Sequence, residues 1–259
     1  RGFDSGCRRA MRARFIYRAL KARWRDQRLE IALARALIKP GDRVVDAGAN
    51  KGAYLYWLQK AVGPGGKVFA YEPQPQLAQY LNRARASMQW QNVLVRDLAL
   101  SNSSGKAHLH VPGPGVSPGA SLEANALSQT TGSSYECSID TLDHQLENEH
   151  PVSFLKIDVE GHELALFAGA QQTLREERPI LLFECEARHL AQHSMQDVFN
   201  FLRNFLYDGY LLRGSALLPV SQFDRSIHQA RNTVRFWDEP NYFNNFLFVP
   251  SGFELPQFL

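Results

Sequence analysis

The sequence predicts an α/β fold in which a parallel β-sheet is covered by helices on both faces. Short apolar segments of strand type alternate along the chain with longer segments that have helical periodicity. Parallel strands need long crossover connections, usually helices, so this alternation is typical of a doubly wound sheet. The composition agrees, because 44% hydrophobic and 21% charged residues are ordinary for a globular domain. No apolar run reaches the length of about 18 residues that a transmembrane helix requires.

The chain begins with a basic helical arm, residues 1–39, and continues with strand–helix units. Helical periodicity covers 10–38 with a break near 24–27, and Pro40-Gly41 ends the helix because neither residue favours its continuation. The following strands are bounded by turn residues, as in the Gly-Pro-Gly-Gly run at 63–66. We predict strands at 43–46, 67–71 and 93–97, and helices at 53–61 and 76–87.

A stretch rich in Ser, Gly and Pro interrupts this rhythm at residues 101–137. Within it we predict strands at 107–111 and 134–139, joined by a loop over 112–132. Loops of that length in compact domains are usually functional, so we interpret the stretch as a substrate-facing insertion and not as a domain boundary. The predicted organisation is the arm followed by one domain, 40–259, that contains the insertion.

The strand–helix alternation resumes after the insertion. The apolar runs at 154–158 and 180–184 are short and uninterrupted, which is typical of strands buried on both faces. A helix is predicted at 163–175 between them. After them we predict a helix at 195–207 and strands at 211–213 and 245–249.

The formal charge is unevenly distributed along the chain. Residues 1–39 contain twelve Lys and Arg against three Asp and Glu, a net charge of +9, whereas the remaining residues have a net charge of −6. Such an arm can bind an anionic membrane surface, a nucleic acid or an acidic partner. The alternative, which we favour, is a packing helix with a solvated basic face, because the arm also has an apolar side. That side consists of Phe15, Ile16, Tyr17, Leu20 and Trp24.

Three cysteines, Cys7, Cys137 and Cys185, are scattered along the chain and form no C-x-x-C pair. Their number and spacing predict neither a disulfide framework nor a structural zinc site. We therefore expect a cytoplasmic protein in a reducing compartment. The basic arm, residues 1–39, suggests in addition a peripheral attachment to a membrane. The sequence does not indicate the oligomeric state.

The most informative segment is the turn from Asp46 to Gly52, which joins a predicted strand to a helix. Its small residues let a ligand approach the backbone, so we assign Gly48, Asn50 and Gly52 to cofactor binding. The carboxylate of Asp46 would repel the pyrophosphate of a dinucleotide, and the full G-x-G-x-x-G fingerprint is absent. S-adenosylmethionine carries an ammonium group and a sulfonium instead of a phosphate. Asp46 therefore favours this methyl donor over NAD.

Acids also follow the other strands of the predicted sheet, at the edge where ligands bind. Glu72 ends the second strand, where its carboxylate can hold both ribose hydroxyls, and we expect it near the surface when no donor is bound. Asp97 and Leu98 follow the third strand, where Asp97 can accept the adenine amine and Leu98 can pack on the ring. Asp158 ends the fourth strand and is the last of the predicted donor-binding residues.

Several motifs in the same order resemble those of the FkbM-type S-adenosylmethionine-dependent methyltransferases. The turn Asp46–Gly52 resembles the family's D-x-G-A-N-x-G, and the more specific segment Lys156–Glu163 resembles its K-I-D-x-E-G-x-E. The resemblance covers about residues 40–190 and implies a class I methyltransferase fold, Rossmann-like, with a mostly parallel sheet and a reversed last strand. Further matches are Tyr71-Glu72-Pro73, Leu98–Ser101, Thr141-Leu142-Asp143, Gly169-Ala170 and Pro179–Glu184.

Methyl transfer to a hydroxyl needs an in-line geometry and a group that accepts the hydroxyl proton. Four candidate catalytic residues lie at the ends of two neighbouring predicted strands, namely Asp158, His162, Glu163 and Glu184. Packed acids raise one another's pKa, which favours a usable base. Asp158 is the main candidate, in contact with the donor or the acceptor. Glu163 can instead stabilise a helix dipole, and His162 can be a surface residue.

The same acids could hold a divalent cation that polarises the acceptor hydroxyl, but we do not favour a metal. His108 and His110 share one side of a strand without a third ligand, and the chain has no H-E-x-x-H motif. We assign no metal ligands.

The resemblance implies an O-methyltransferase whose acceptor is a small molecule or a glycan, that is, a hydroxyl of a sugar, polysaccharide or secondary metabolite. One alternative is a nucleic-acid methyltransferase that holds phosphates with the basic arm. It is less favoured, because Ile157–Glu160 replaces the Asn/Asp-Pro-Pro-aromatic motif with which base-amine methylases hold a flipped base. Another alternative is a non-catalytic domain that binds a membrane or a protein through the arm. Nothing in the loop at 112–132 identifies the acceptor.

Overall fold

The structure is a computed structural model of the 259-residue chain, and it describes residues 5–113, 115–123, 132–190, 192–213, 216–231 and 233–255. The predicted loop at 112–132 lies partly outside these ranges. Its described parts are the two ends and the segment 115–123.

Eleven strands in the described residues form two sheets. They are β1 (Arg43–Ala47), β2 (Lys67–Tyr71), β3 (Val93–Arg96), β4 (Ala99–Leu100), β5 (Gly105–Pro112), β6 (Gly132–Asp140), β7 (Phe154–Ile157), β8 (Ile180–Glu184), β9 (Tyr207–Arg213), β10 (Ala216–Pro219) and β11 (Asn245–Pro250).

The larger sheet has eight strands in the order β10-β9-β11-β8-β7-β1-β2-β3. The five strands from β8 to β3 in this order are mutually parallel, which confirms the α/β prediction. β11 runs antiparallel to both of its neighbours, β8 and β9, so the reversed last strand of a class I methyltransferase fold is present. β10, which the sequence did not predict, pairs antiparallel with β9 at the edge.

Helices cover both faces of the large sheet. Because successive residues of a strand point to opposite faces, Val44 and Val45 of β1 belong to two different apolar clusters. One cluster lies under the first four helices and the other under the fifth to the eighth. The helices are α1 (Ser5–Lys21), α2 (Arg28–Leu37), α3 (Ala53–Val62), α4 (Pro75–Met88), α5 (Leu142–Gln145), α6 (Glu163–Ala168), α7 (Gln171–Glu176), α8 (Met195–Asn204) and α9 (Arg225–His228).

The basic arm packs onto the domain with one face. The break expected near 24–27 is a π-helical turn, Ala22–Asp26, between α1 and α2. Phe15 and Ala19 are buried in the same cluster as α3, and the indole Nε1 of Trp57 donates a hydrogen bond to the carbonyl of Ala19 at 2.8 Å. No helix of the described chain is both long and apolar enough to cross a membrane.

The interruption at 101–137 is a small three-stranded sheet and not simply a loop. β5 and β6 pair antiparallel along their whole length, and β4 pairs parallel with β6. The two predicted strands are therefore real but longer than expected. Leu109, Val111 and Cys137 form a small apolar cluster beneath them. A bridge between His110 and Ser121 brings the segment after β5 back onto the sheet.

Two predicted helices are interrupted by contacts that the local sequence does not reveal. The helix expected at 163–175 is divided into α6 and α7 at Gly169, where a Cβ atom would lie 1.9 Å from the carbonyl oxygen of Ser101. The helix expected at 195–207 begins as predicted, with a capping box between Ser194 and Asp197, but ends at Asn204. Leu206 has a φ of 60°, and the chain continues as β9.

Candidate functional site

A crevice opens at the carboxyl ends of β1, β2 and β7. This is the edge of a parallel sheet where ligands bind. The turns after β1, β2 and β7 contribute to its lining, and so does the segment 115–123, which we call the strap. The lining includes Gly48, Asn50, Glu72, Leu98, Asp158 and His162.

Several backbone N–H groups of the turn after β1 are bonded within the protein. Gly48 and Ala49 both donate to the carbonyl of Tyr71, at 2.9 and 3.0 Å, and Gly52 donates to Ala49 at 2.8 Å. Gly48 has a φ of 76°, and a Cβ atom there would lie 1.9 Å from the carbonyl oxygen of Asp158. These contacts fix the ends of β1, β2 and β7 against one another. They also leave this turn poorly suited to hold a phosphate, which needs free N–H groups.

Glu72 lies at the base of the crevice and not near the surface as expected. Its side chain accepts hydrogen bonds from the N–H groups of Asn50, at 2.7 Å, and Gln74, at 2.9 Å, and the residue is 2% exposed. Burial raises the pKa of Glu72 to about 7, although the two N–H groups oppose the shift. Each carboxylate oxygen has a second lone pair, so the side chain can still accept a ligand hydroxyl.

Asp46 and Lys156 form a buried layer directly behind the crevice. The two residues are register neighbours on β1 and β7, and both are 2% exposed. Burial raises the pKa of Asp46 to about 7, although Lys156 opposes the shift, and its Oδ2 has no hydrogen-bond partner among the described residues. The Lys156 ammonium lies 3.7 Å from Asp158 Oδ2 and 4.6 Å from the centre of the Tyr54 ring. Asp46 therefore contributes charge from beneath the crevice without lining it.

Asp158 is the acid that faces both the crevice and the rim beyond it. Its side chain is 29% exposed, and it lines the crevice together with Val159. It is held at the sheet edge because its N–H donates to the carbonyl of Ala47 at 2.9 Å.

Both ring nitrogens of His162 are occupied by other side chains. Nε2 is 2.8 Å from the hydroxyl of Ser101, and Nδ1 is 2.9 Å from the carboxylate of Glu123. The hydrogen bond to His162 lowers the pKa of Glu123. His162 thus joins the strap to the sheet edge, and neither nitrogen is free to act as a base. No sequence pattern indicated this contact, since Glu123 lies within the predicted loop at 112–132.

The other predicted catalytic acids lie outside the crevice lining. Glu163 is 1% exposed and accepts a hydrogen bond from the N–H of Gly161 at 3.0 Å, while burial raises its pKa to about 7. Glu184 accepts a hydrogen bond from Asn244 at 2.8 Å. Burial, followed by the charge of Asp158, raises the pKa of Glu184 well above its usual value. The structure therefore brings only Asp158 and His162 of the four candidates into the crevice.

A polar cluster that the sequence only partly indicated continues from Asp158 along the rim. Glu160 is paired with His189 Nδ1 at 2.6 Å. Burial lowers the pKa of His189, but the hydrogen bond and charge of Glu160 outweigh it and the net shift is upward. Glu186 is paired with Arg188, with 2.5 Å between Oε2 and Nε, and accepts a hydrogen bond from Tyr242. Among the described residues, no group of three or more His, Cys, Asp or Glu side chains could hold a metal ion.

Of three further predicted donor-binding positions, two lie outside the crevice lining. Leu98 lines the crevice as expected, but Asp97 is exposed and faces a groove beside α4. The α-carbon of Gly52 faces the arm, where a Cβ atom would lie 2.6 Å from the Phe15 ring. Successive side chains of an extended chain point to opposite faces, which is why the side chains of the neighbours Asp97 and Leu98 point to different surfaces.

Comparison with known proteins gives one family match and several structural likenesses. A model of the methyltransferase FkbM domain matches residues 46–209. The crystal structure of an FkbM methyltransferase from Methylobacillus flagellatus KT is 15% identical with a TM-score of 0.51, over 92% of this chain and 54% of that one. A S-adenosylmethionine-dependent methyltransferase from Aquifex aeolicus is 15% identical with a TM-score of 0.48, over 96% and 98% of the two chains.

One curated protein matches a short segment of the chain. A tRNA (adenine(57)-N(1)/adenine(58)-N(1))-methyltransferase of Methanocaldococcus jannaschii is 46% identical over 46 residues, which are 18% of this chain and 16% of that protein. The chain thus spans about a sixth of this curated relative and about half of the M. flagellatus chain.

Proposed function

The chain belongs to the methyltransferase FkbM family, whose domain model covers more than half of it, and on this premise we propose that it transfers the methyl group of S-adenosylmethionine to a hydroxyl group. The proposed acceptor is a sugar, a polysaccharide or a secondary metabolite.

The observation that carries this proposal is the acidic lining of the crevice, next to a turn whose N–H groups at Gly48, Ala49 and Asn50 are bonded to protein acceptors. Glu72 and Asp158 face the crevice, and Asp46 lies directly behind it. The N–H groups of Gly48 and Asn50, which a phosphate would need, donate to protein acceptors instead. A positively charged ligand is therefore favoured at this edge, and a phosphate-bearing dinucleotide is disfavoured.

We assign the donor-binding roles from the positions of the lining residues. Glu72 accepts the ribose hydroxyls, because its carboxylate is fixed by two N–H groups and retains free lone pairs. Leu98 packs against the adenine ring, while Asp158 and the buried Asp46 favour the positively charged part of the donor.

When bound, S-adenosylmethionine would supply an electrophilic methyl group that an acceptor oxygen can attack in line, with the neutral thioether S-adenosylhomocysteine as the leaving group. The oxygen–carbon bond forms as the sulfur–carbon bond breaks, and the hydroxyl proton must pass to a protein group. Asp158 is our candidate for that group, because it is partly exposed at the crevice. His162 has both nitrogens engaged, and Glu184 lies outside the crevice lining, where it accepts a hydrogen bond from Asn244.

The rim beyond Asp158 supports a hydroxyl-rich acceptor. Arg188, Tyr242 and Asn244 are at least partly exposed and all donate hydrogen bonds to the buried Glu186, which brings their polar groups close together there. Polyhydroxylated molecules need such a set of partners to replace the water that they lose on binding.

The decisive experiment combines donor calorimetry with a screen of glycans and metabolites for methyl uptake. Asp158→Asn should lower kcat by about 100-fold or more, the usual contribution of a general base, while donor affinity changes less than about tenfold. Asp97→Asn is the matched control, since Asp97 is an exposed acid outside the crevice, and it should behave as wild type. A chain that ignores S-adenosylmethionine and takes up a dinucleotide in the same crevice would overturn the proposal.

A nucleic-acid acceptor is the second candidate, because the short match to a tRNA methyltransferase accompanies a strongly basic arm. The absence of the Asn/Asp-Pro-Pro-aromatic motif after β7 speaks against it. Methyl uptake by transcribed tRNA but by no hydroxyl acceptor in the screen would favour this candidate over the first.

A further inference from the structure

The outward face of the arm, along α1 and the following π-helical turn, carries an apolar stripe that the packing of the arm leaves exposed. Tyr17 and Trp24 are each 68% exposed, and Leu20 between them is 39% exposed. Ala10 and Ala13 continue the stripe toward the N-terminus and are also exposed. The spacing of three, four and three positions places Ala10, Ala13, Tyr17 and Leu20 along one side of α1, and the exposed Trp24 follows in the π-helical turn Ala22–Asp26.

The orientation of the arm is fixed by its other face. Phe15 and Ala19 are buried in the core, Trp57 donates a hydrogen bond to the carbonyl of Ala19, and Arg18 donates one to the Tyr80 hydroxyl at 2.9 Å. Rotation that would bury the stripe would have to break these contacts. The outward face therefore stays exposed while the domain is folded.

Basic side chains flank the stripe on both sides. The exposed basic residues are Arg9, Arg14, Lys21 and Arg25. Asp26 lies beside them and forms ion pairs with Lys21 at 3.3 Å and with Arg25 at 3.4 Å. The rest of the chain beyond the arm has a net charge of −6. The positive charge is thus concentrated around the apolar stripe, where it complements an anionic surface.

We propose that this outward face docks on the surface of an anionic lipid bilayer, with α1 lying parallel to the membrane plane. The aromatic and aliphatic residues of the stripe enter the interface, and the flanking Arg and Lys contact the headgroups. Tyr and Trp suit this position, because each combines an apolar ring with a polar group. Each basic residue near such a surface raises membrane affinity by about fivefold.

The aliphatic part of the stripe favours a bilayer over a nucleic acid. Nucleic-acid binding would use the Arg residues and could stack a base on Tyr17 or Trp24, but it gains nothing from Ala10, Ala13 and Leu20. A membrane interface uses the whole stripe.

Sedimentation of the full chain with phosphatidylcholine vesicles, with and without about one third phosphatidylserine, tests the proposal. The protein should bind the anionic vesicles at least about 20-fold more tightly, and higher salt should weaken this binding. The double variant Arg9→Gln/Arg14→Gln should bind anionic vesicles about 25-fold more weakly, because each of the two lost basic residues contributes about fivefold. The control Arg213→Gln/Arg225→Gln removes two exposed charges outside the arm and should lose little affinity.

The stripe itself is tested by Tyr17→Ser/Trp24→Ser, with Trp237→Ser as the control for an exposed tryptophan outside the arm. We expect at least about tenfold weaker vesicle binding for the double variant and unchanged binding for the control. All variants should melt at the wild-type temperature, because the altered side chains are exposed. Equal binding of both vesicle types, or equal losses in arm and control variants, would overturn the proposal. So would arm variants that lose an RNA gel shift but keep vesicle binding.

Discussion

Glu72 combines a structural and a binding role in one buried carboxylate. Glu72→Ala leaves the N–H groups of Asn50 and Gln74 without an acceptor, and we expect the free energy of unfolding to fall by about 1–3 kcal/mol. Donor affinity should fall as well, because the proposed ribose contact is lost. Denaturant unfolding and donor calorimetry measure the two effects.

Glu72→Gln separates the two roles. The glutamine oxygen can still accept one of the backbone N–H bonds, so the loss of stability should be smaller than for alanine, while the loss of donor affinity should be similar. Unchanged donor affinity in both variants would contradict the ribose assignment.

The raised pKa values of Asp46 and Glu72 predict a pH-dependent donor affinity. Both carboxyls have a folded pKa of about 7, so each is largely protonated below that value and cannot attract a cation. Affinity for S-adenosylmethionine should rise by up to about tenfold per pH unit per group below about pH 7 and level off above about pH 8. Calorimetry in buffers of different ionisation enthalpy should detect proton release on binding, and less of it in Glu72→Gln.

Stability without the donor should change in the opposite direction. Because the folded pKa of each acid lies above its unfolded value, the folded protein binds more protons between about pH 4 and 7. The free energy of unfolding should therefore fall as pH rises through this interval.

A donor affinity that does not vary between about pH 6 and 8 would show that these acids are not coupled to the donor.

The sequence located the residues whose position depends on a strand end alone. Gly48, Glu72 and Asp158 line the crevice, because each directly follows a buried strand. It could not reveal that His162 is engaged by Ser101 and Glu123, since those partners come from distant segments. Burial of a side chain likewise depends on tertiary contacts, so the sequence could not show that Glu72 is buried.

At the scale of elements, two glycines of one turn should respond differently to the same substitution. Gly48→Ala places a Cβ atom 1.9 Å from the backbone oxygen of Asp158, which cannot move without disturbing β7. Gly52→Ala places it 2.6 Å from the ring of Phe15, a side chain on the arm. Both glycines have positive φ, so each substitution also adds backbone strain of about 1 kcal/mol or more.

We therefore expect Gly48→Ala to abolish donor binding, and Gly52→Ala to lower stability while donor affinity stays within about twofold. Phe15→Ala is the partner variant, because removal of the ring should make Gly52→Ala less costly in the double variant than in the single one. Loss of donor binding in Gly52→Ala with an intact thermal transition would contradict this assignment and place Gly52 at the donor.

The strap is a second element whose attachment can be tested. The side chain of Gln74 donates to the carbonyl of Ser117 at 2.9 Å and accepts its N–H at 3.0 Å, and the Ser121 hydroxyl donates to the carbonyl of Glu160 at 2.6 Å. Gln74→Ala removes two of these bonds. We expect hydrogen exchange across 115–123 to be faster by about fivefold or more, since one hydrogen bond contributes about 1 kcal/mol.

Glu136→Ala is the control for the strap experiment, because Glu136 lies on the exposed surface of β6 in an ion pair with Lys106. Its exchange pattern over the strap should match the wild type. Unchanged exchange in Gln74→Ala would mean that other contacts hold the strap against the crevice.

Element prediction failed where tertiary contacts override local preference. The alternation of strands and helices could be read from apolar periodicity, and the parallel strands agree with it. The division of the helix at Gly169 depends on the carbonyl of Ser101, more than sixty positions away. No local pattern encodes such a contact.

At the scale of the whole molecule, the chain combines an acidic domain with a basic arm that shares its core. The charge asymmetry is evident from the sequence, but the sharing of the core is not. Phe15 and Ala19 lie in one apolar cluster with Leu55 and Leu58 of α3, so the arm completes the cover of one sheet face. The sequence-based division at residue 40 stays a prediction about organisation, and truncation tests it.

Deletion of residues 1–39 should destabilise the domain and not merely remove a binding surface. The deletion removes buried Phe15, Ile31, Leu33 and Leu37 and exposes the apolar face of α3 that they cover. A buried side chain of this size contributes about 1.5–3 kcal/mol, and a whole domain is stable by only about 5–15 kcal/mol. Residues 40–259 alone should therefore lack a cooperative thermal transition and bind no donor, whereas Tyr17→Ser in the full chain should keep both. A fragment that folds and binds S-adenosylmethionine with wild-type affinity would instead make the arm an independent unit, whose packing contributes little to the stability of the sheet.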